Sequence, residues 1–418
     1  MKDRRTAPRC IALGLSGTTT CRFGPGRSRI RSAGRLWKVG DGVPFRAVAI
    51  CSDHPACTEN RILSPAVASR YYGASWVPLL RDLLSPDQEL VTGDVARRMI
   101  REEGRDVRSV CLLREMTCSL ADELARAGAC GLVGYCMESP LYAHGYYDSL
   151  RRGTLRPYRH EQVFGGGNLE GMAPGKYSPE PMFFPSYDAE DLREPSDWSG
   201  RKPFVMIVSN KFLNFEFDRR SFGDPRSFCR TVRSSVRRLT SFSYRRYLSD
   251  EIQTERLTAI AELGERGLLS LFGYDWDRSD RLPPLWRGRL SGLLKRLGPS
   301  VCEDKLETLS RYRFSLCFEN VRMRGYVTEK IFHCLVAGTI PIYLGAPDAE
   351  TLVPRDVFIR RDDYPSWGTL IEDLLSMDRR AGEDMIAAGR RFLFSPEGRR
   401  FTHRAFAERM RDSILEAA

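Results

Sequence analysis

The sequence predicts an α/β protein of two Rossmann-like domains facing a cleft, and three observations predict it. Apolar runs of strand length alternate with helix-length amphipathic segments over residues 45–162 and again over 203–418. Between the two series, residues 163–202 are dense in Gly, Pro and acidic side chains and show no hydrophobic period, which reads as a linker. The chain is 418 residues long. Single cores stop growing at roughly 250–300 residues, so a division into two domains is the natural one.

Taken in order, residues 1–44 are rich in Arg, Ser and Gly and read as a basic, disordered tail. The apolar stretch 11–15 is cut short by Ser16, Gly17 and three threonines, too soon for a secretory signal. The N-terminal domain then reads as strand 45–51, helix 69–84, strand 89–92, helix 95–103, strand 107–113, helix 119–129 and strand 130–137. Strands spaced by helices pair in parallel, because each crossover returns the chain to the same end of the sheet. The C-terminal domain reads as strand 203–208, helix 254–265, strand 268–273, helix 303–312, strand 314–318, helix 328–337 and strand 339–344. Amphipathic helices from Arg379 onward close that domain.

Two basic stretches interrupt the second series. One spans 211–250 and carries Arg219, Arg220, Arg226, Arg230, Arg233, Arg237, Arg238, Arg245 and Arg246. In the other, 278–300, Leu285, Trp286, Leu290, Leu293, Leu294 and Leu297 are interspersed with Arg278, Arg281, Arg287, Arg289, Lys295 and Arg296. A basic amphipathic segment of this kind suits peripheral contact with an anionic membrane. In the plainer reading the leucines face the core and the arginines are solvated.

Composition excludes several classes. With 42% hydrophobic and 28% charged residues the chain is too apolar to be disordered as a whole. No window reaches the roughly 18 uncharged apolar residues of a membrane-spanning helix, so the sequence reads as cytoplasmic, with the inner membrane face as a peripheral option. The cysteines are scattered and mostly lie in apolar runs (Cys51, Cys111, Cys136, Cys317, Cys334), as reduced, packed thiols would. There is no CxxC pair, and His54, His144, His160, His333 and His403 are too dispersed for a local metal site. The net charge of +11 favours an anionic partner. Nucleic acid is the rival partner, but no recognised module or stripe of interleaved basic and aromatic residues supports it. Neither series carries GxGxxG after its first strand, and GxxxxGK[ST] is absent, which removes the main support for a dehydrogenase or a P-loop ATPase.

The segment 311–347 is the most informative. Its strand 314–318 runs into Glu319 and Asn320, then a short loop with Arg and Gly, then a helix opening at Thr328 with Glu329 and Lys330 in its first turn. A strand, a loop and a helix N-terminus form an anion-binding arrangement, to which Lys330 adds a full charge. Thr328 could equally be a plain helix cap.

Phe318-Glu319-Asn320, Tyr326, Thr328-Glu329-Lys330 and the spaced Gly338, Pro341 and Gly345 closely resemble the signature of glycosyltransferase family 10, the α-1,3/4-fucosyltransferases, in a bacterial form without a membrane anchor. The resemblance covers about 203–380, and in the first domain Glu138-Ser139-Pro140 looks like the family's Glu-Ser-Pro. It implies a GT-B architecture and an inverting transfer of L-fucose from GDP-fucose to a glycan or glycolipid hydroxyl, α-1,3 to GlcNAc or a related sugar. Glu138 would be the general base, and Arg256 and Lys330 would stabilise the departing GDP. Asn320 and Tyr326 would bond donor phosphate or ribose, and Glu329 ribose or fucose hydroxyls. Ser209, Asn210 and Tyr274 would complete the donor side. No cofactor is implied beyond the donor substrate, and no metal, although Asp275-Trp276-Asp277 spells D-x-D. The residues that bind phosphate do not read the hexose, so the same fold with another nucleotide sugar is the nearest alternative.

Overall fold

The computed structural model describes residues 47–416 except 72, 87, 104–109, 116–117, 153–161, 166–177, 182, 211–231, 233–235, 237–238, 240–241 and 279–281. The basic tail, and most of the arginine-rich stretch 211–250, lie outside the described residues.

The first sheet contains β1 (Ala47–Cys51), β2 (Glu89–Thr92), β3 (Val110–Glu115), β4 (Cys130–Cys136), β5 (Gln162–Gly165) and β6 (Ser178–Pro181) in the order β2-β1-β3-β4-β5-β6, every pair parallel. Strand β1 is buried along its whole length, as a central strand covered on both faces must be. The helix expected over 69–84 is shorter, Trp76–Leu83, and a separate short helix, Pro65–Ala68, precedes it. Gly73 between them has φ +69°, a conformation that a right-handed helix does not contain. A helix at His144–Arg152, not anticipated from the sequence, follows β4.

The second sheet contains β7 (Lys202–Ile207), β8 (Leu269–Phe272), β9 (Tyr312–Phe318), β10 (Ile340–Leu344) and β11 (Ile359–Arg360) in the order β11-β10-β9-β7-β8, again parallel throughout. The helices Gln253–Glu265, Pro284–Leu297, Lys305–Ser310 and Glu329–Ala337 intervene. The order reverses between β7 and β9. At such a switch point the crossovers leave to opposite sides and open a crevice at the carboxyl ends of the strands.

Three expectations need correction. Strands β5 and β6 fall in or at the edge of the stretch 163–202 and extend the first sheet; a Pro-rich strand such as Ser178–Pro181 is tolerated because it lies at the edge. The last helix, His403–Glu416, does not close the second domain: its Phe406, Ala407, Met410 and Ile414 pack with Trp76, Val77 and Leu80 of the first. Finally, Leu290, Leu293 and Leu294 of Pro284–Leu297 are buried against Leu257, Ile260 and their neighbours, while Arg289 bonds Glu262 and Glu265. The apolar face that membrane contact would require is thus occupied by the core, with Leu285 left exposed. Among the described residues no helix is long and apolar enough to cross a membrane.

The segment from Phe183 to Tyr187 is fastened from several sides. Ser186 N–H donates to Phe401 O, the Tyr187 hydroxyl donates to Leu393 O and Gly398 O, and His403 N–H donates to Tyr187 O. His333 Nε2 lies 3.1 Å from Ser186 O, which places the ring proton on Nε2. Burial, aided by the charge of Lys305, holds His333 down at about 3; burial holds His403 down at about 4, against an ordinary value of 6.5. The unfolded chain therefore binds these protons first. The stability they contribute is complete above pH 6.5 and is lost as pH falls, by roughly 2 kcal/mol for each histidine between pH 6.5 and 5. Urea unfolding at pH 7 and 5 should show that loss, reduced in His333→Asn; an equal pH slope in the variant would mean that His333 is charged in the folded protein.

Candidate active site

Elements of the second sheet meet at its switch point. Strand β9 delivers Glu319 and Asn320 at its carboxyl end, and β7 delivers Val208, Ser209 and Asn210 beside them. Glu319 is fully buried. Its carboxylate accepts from Thr328 N at 2.8 Å, from the Thr328 hydroxyl at 2.8 and 2.9 Å, and from Lys330 Nζ at 2.8 Å. Thr328 is the residue before the helix Glu329–Ala337, yet its side chain makes no capping bond there. Its hydroxyl serves Glu319 and Lys330 instead, at 2.8 Å from the ammonium. Thr328 is therefore not the plain side-chain cap that its position allowed.

Lys330 is held charged. Burial alone would lower its pKa, but the carboxylates of Glu319 and Glu329 outweigh burial and raise it. Glu329 itself faces two ammonium groups, Lys305 Nζ at 3.7 Å and Lys330 Nζ at 3.9 Å. Room for Glu319 comes from the end of β10: a Cβ on Gly345 would stand 2.6 Å from Glu319 Cγ and 2.5 Å from the Tyr343 hydroxyl. The last glycine of the Gly338, Pro341, Gly345 spacing is thus explained by packing against the carboxylate stem.

Arg256, in the first turn and a half of Gln253–Glu265, is brought to the same strand end. Its Nη2 donates to Phe318 O at 2.5 Å, Glu319 O at 2.8 Å and Asn320 Oδ1 at 3.1 Å. Burial lowers its pKa from the usual arginine value, with Tyr142, Glu319 and Tyr326 opposing the shift. A narrow cavity of about 30 Å³ is lined by Arg256, Lys305 and Lys330 together with Ser315, Cys317 and Val208. A larger one, about 490 Å³, is lined by Glu350, Val353, Arg391, Phe392 and Arg400 and includes none of the candidate residues.

Asn210 is fully buried, and its amide donates to Asp275 O at 2.9 Å and Arg278 O at 3.1 Å. Trp276 Nε1 donates to Val208 O at 2.7 Å, and Gly273, with φ +138°, passes so close that a Cβ would lie 2.0 Å from Val208 O. These contacts fix the loop after β8. Asn210 is committed to holding that loop; Ser209 is partly exposed beside it, and Tyr274 is 62% exposed at the loop's tip. Asp275 adopts φ 66°, and among the described residues no group of three or more His, Cys, Asp or Glu side chains is placed to hold a metal ion.

From the first sheet, β4 ends before Glu138, an exposed carboxylate whose backbone carbonyl accepts from the Tyr147 hydroxyl at 3.0 Å. Ser139 and Pro140 behind it are buried. The loop of the second domain that carries Val321 and Tyr326 packs among Tyr135, Leu141 and Phe184 of this side. Burial raises the Tyr326 phenol well above its ordinary pKa, with the charges of Glu319 and Glu138 adding to the shift. Tyr326 thus lies within electrostatic reach of both the candidate base and the buried carboxylate behind Lys330. Sequence reasoning names Glu319 and Thr328 without their bonds to each other and to Lys330, and it does not single out Tyr142. Glu319 stands inside the recognised Phe318-Glu319-Asn320 run, but nothing in a sequence says that its carboxylate turns inward.

Residues 290–384 match the profile described as glycosyltransferase family 10 (fucosyltransferase), C-terminal part. That segment, under a quarter of the chain, is similar to glycosyltransferase family 10. The match covers Asn320, Tyr326, Glu329 and Lys330 and leaves out Glu138 and Arg256. Among curated relatives, it is 44% identical over 94 residues to α-(1,3)-fucosyltransferase 7 of Mus musculus, covering 22% of this chain and 23% of that protein. It is 33% identical over 149 residues to the Bos taurus enzyme of the same name, covering 33% of this chain and 44% of that one. The matches therefore span less than half the length of these relatives. An α1,3-fucosyltransferase solved with GDP-fucose superposes with TM-score 0.43 and 16% identity, over 91% of this chain and 94% of that one. The chain itself has two all-parallel sheets with intervening helices, the Rossmann-like plan that the element order predicts.

Proposed function

We propose that this chain transfers L-fucose from GDP-fucose, with inversion, to a hydroxyl of a glycan or glycolipid acceptor, α-1,3 to GlcNAc or a related sugar. The observation that carries the reading is the convergence of Arg256 and Lys330 on the carboxyl end of β9, in the segment most similar to the fucosyltransferases. Glu138 takes the proton from the acceptor hydroxyl as that oxygen attacks the anomeric carbon from the face opposite the diphosphate. Negative charge grows on the leaving group in the oxocarbenium-like transition state. Fixed cations aimed at it therefore favour the transition state over the ground state. Arg256 and Lys330 fill that role, with the N-terminus of Glu329–Ala337 assisting. Asn320, Tyr326, Glu329, Ser209 and Tyr274 contribute to the donor side, and Asn210 acts by holding the loop that presents Tyr274.

Two cations and a helix N-terminus supply the charge that a divalent ion supplies elsewhere, so transfer is expected to continue in EDTA. Complete loss in chelator, restored by manganese, would make Asp275 and Asp277 the residues to examine. We place the reaction in the cytoplasm, in keeping with cysteines scattered through apolar runs of the sequence. Nucleotide release measured with GDP-fucose, GDP-mannose and UDP-sugars tests the donor. Release from GDP-fucose alone, dependent on a glycan acceptor, supports this reading, and preference for another nucleotide sugar replaces it.

A further inference from the structure

The loop behind Glu138 is tied directly to the helix that carries Arg256. Glu138 leads into a turn in which Tyr142 N–H and Ala143 N–H both donate to Ser139 O, at 3.0 and 2.9 Å. The hydroxyl of Tyr142, in that turn, accepts a hydrogen bond of 2.6 Å from Nε2 of Gln253. Gln253 is 5% exposed and is the first residue of Gln253–Glu265, one turn before Arg256. The preceding residue, Ile252, donates its N–H to Asn320 O at 3.3 Å, so the start of this helix is bound to the end of β9 as well. Beyond burial, the charges acting most strongly on the Tyr142 hydroxyl are those of Arg256 and Glu138.

We infer that the Tyr142–Gln253 hydrogen bond is a cross-sheet strut that fixes the Glu138 loop relative to the Arg256 helix, making both residues positioning residues for transfer. The inference rests on the donor reading above. A base that takes a proton as the leaving group departs must be held at a set distance from the cations that receive it, because small misplacements of reacting groups are costly. A single neutral hydrogen bond between partly buried groups suffices to bias such a loop without fusing the two sheets.

The test is a double-mutant cycle of Tyr142→Phe, Gln253→Leu and the pair, each read by transfer kinetics, GDP calorimetry and hydrogen exchange of residues 139–143 with and without GDP. Each single variant is expected to lower kcat for transfer by roughly five- to tenfold, the worth of one hydrogen bond, with GDP affinity and donor KM little changed. The pair should be no worse than either single variant, since both remove the same bond. GDP should slow exchange across 139–143 in the unmodified protein and do so no longer in the variants. Multiplicative kinetic losses, or GDP protection of 139–143 that persists in both variants, would overturn the strut while leaving the donor reading intact. Failure of the unmodified protein to bind GDP would instead remove the donor reading, and the strut as a device for transfer with it.

Discussion

Glu138→Gln is expected to abolish measurable transfer, a loss of roughly a hundred- to ten-thousandfold, while GDP binds almost as before. The substitution keeps the shape of the side chain and removes only its capacity to take a proton. It should also be cheap in stability, because the Glu138 side chain is exposed and its carbonyl stays anchored by the Tyr147 hydroxyl. The cations assigned to GDP belong to the other sheet and are untouched. A fixed-time transfer assay beside calorimetry with GDP separates the two effects. Near-normal turnover would take Glu138 out of the mechanism, and parallel loss of GDP affinity would make it a donor ligand.

Lys330→Ala should do two things at once, and the structure allows them to be separated. Loss of the cation from the transition state slows transfer by about 2–4 kcal/mol. The same change leaves Glu319 as a fully buried carboxylate without its ammonium partner, which costs about 3–5 kcal/mol of folding stability. Adding Glu319→Gln removes that buried charge. The double variant should therefore recover much of the lost stability in urea titrations, while transfer stays depressed. Transfer that returned together with stability would show Lys330 to be a structural partner of Glu319 only. An unchanged urea midpoint in Lys330→Ala would mean that water reaches the pair and that Glu319 is not isolated.

The alternation of apolar runs and helical segments was sufficient to read both parallel sheets, because a buried parallel strand must be nearly all apolar and its crossover must be helix-sized. Strands β2, β7, β9 and β10 lie where the apolar runs put them to within a residue or two. Strand β6 escaped notice because an edge strand needs little apolar character, so Ser178–Pro181 looks like a linker until it pairs, while β5, between β4 and β6, is only four residues long and runs into glycines. The final helix reads as amphipathic in any context, and periodicity names a buried face without naming the partner. Its packing on Trp76–Leu83 could be settled only by the fold.

At the site, the local run from Phe318 to Lys330 already placed Asn320, Tyr326, Glu329 and Lys330 near one strand end, since a strand, a short loop and a helix N-terminus leave few other arrangements. What the sequence by itself determined was this neighbourhood, the two-sheet plan and the resemblance of 290–384 to one family. Tertiary structure decided which polar side chains turn inward: Glu319 onto Thr328 and Lys330, Asn210 onto the loop of Asp275 and Arg278, and Tyr142 onto Gln253. These pairings bridge up to 111 residues of chain. A buried polar group is tolerated only where a partner meets it, and which partner does so depends on how the elements pack rather than on any local pattern of residues.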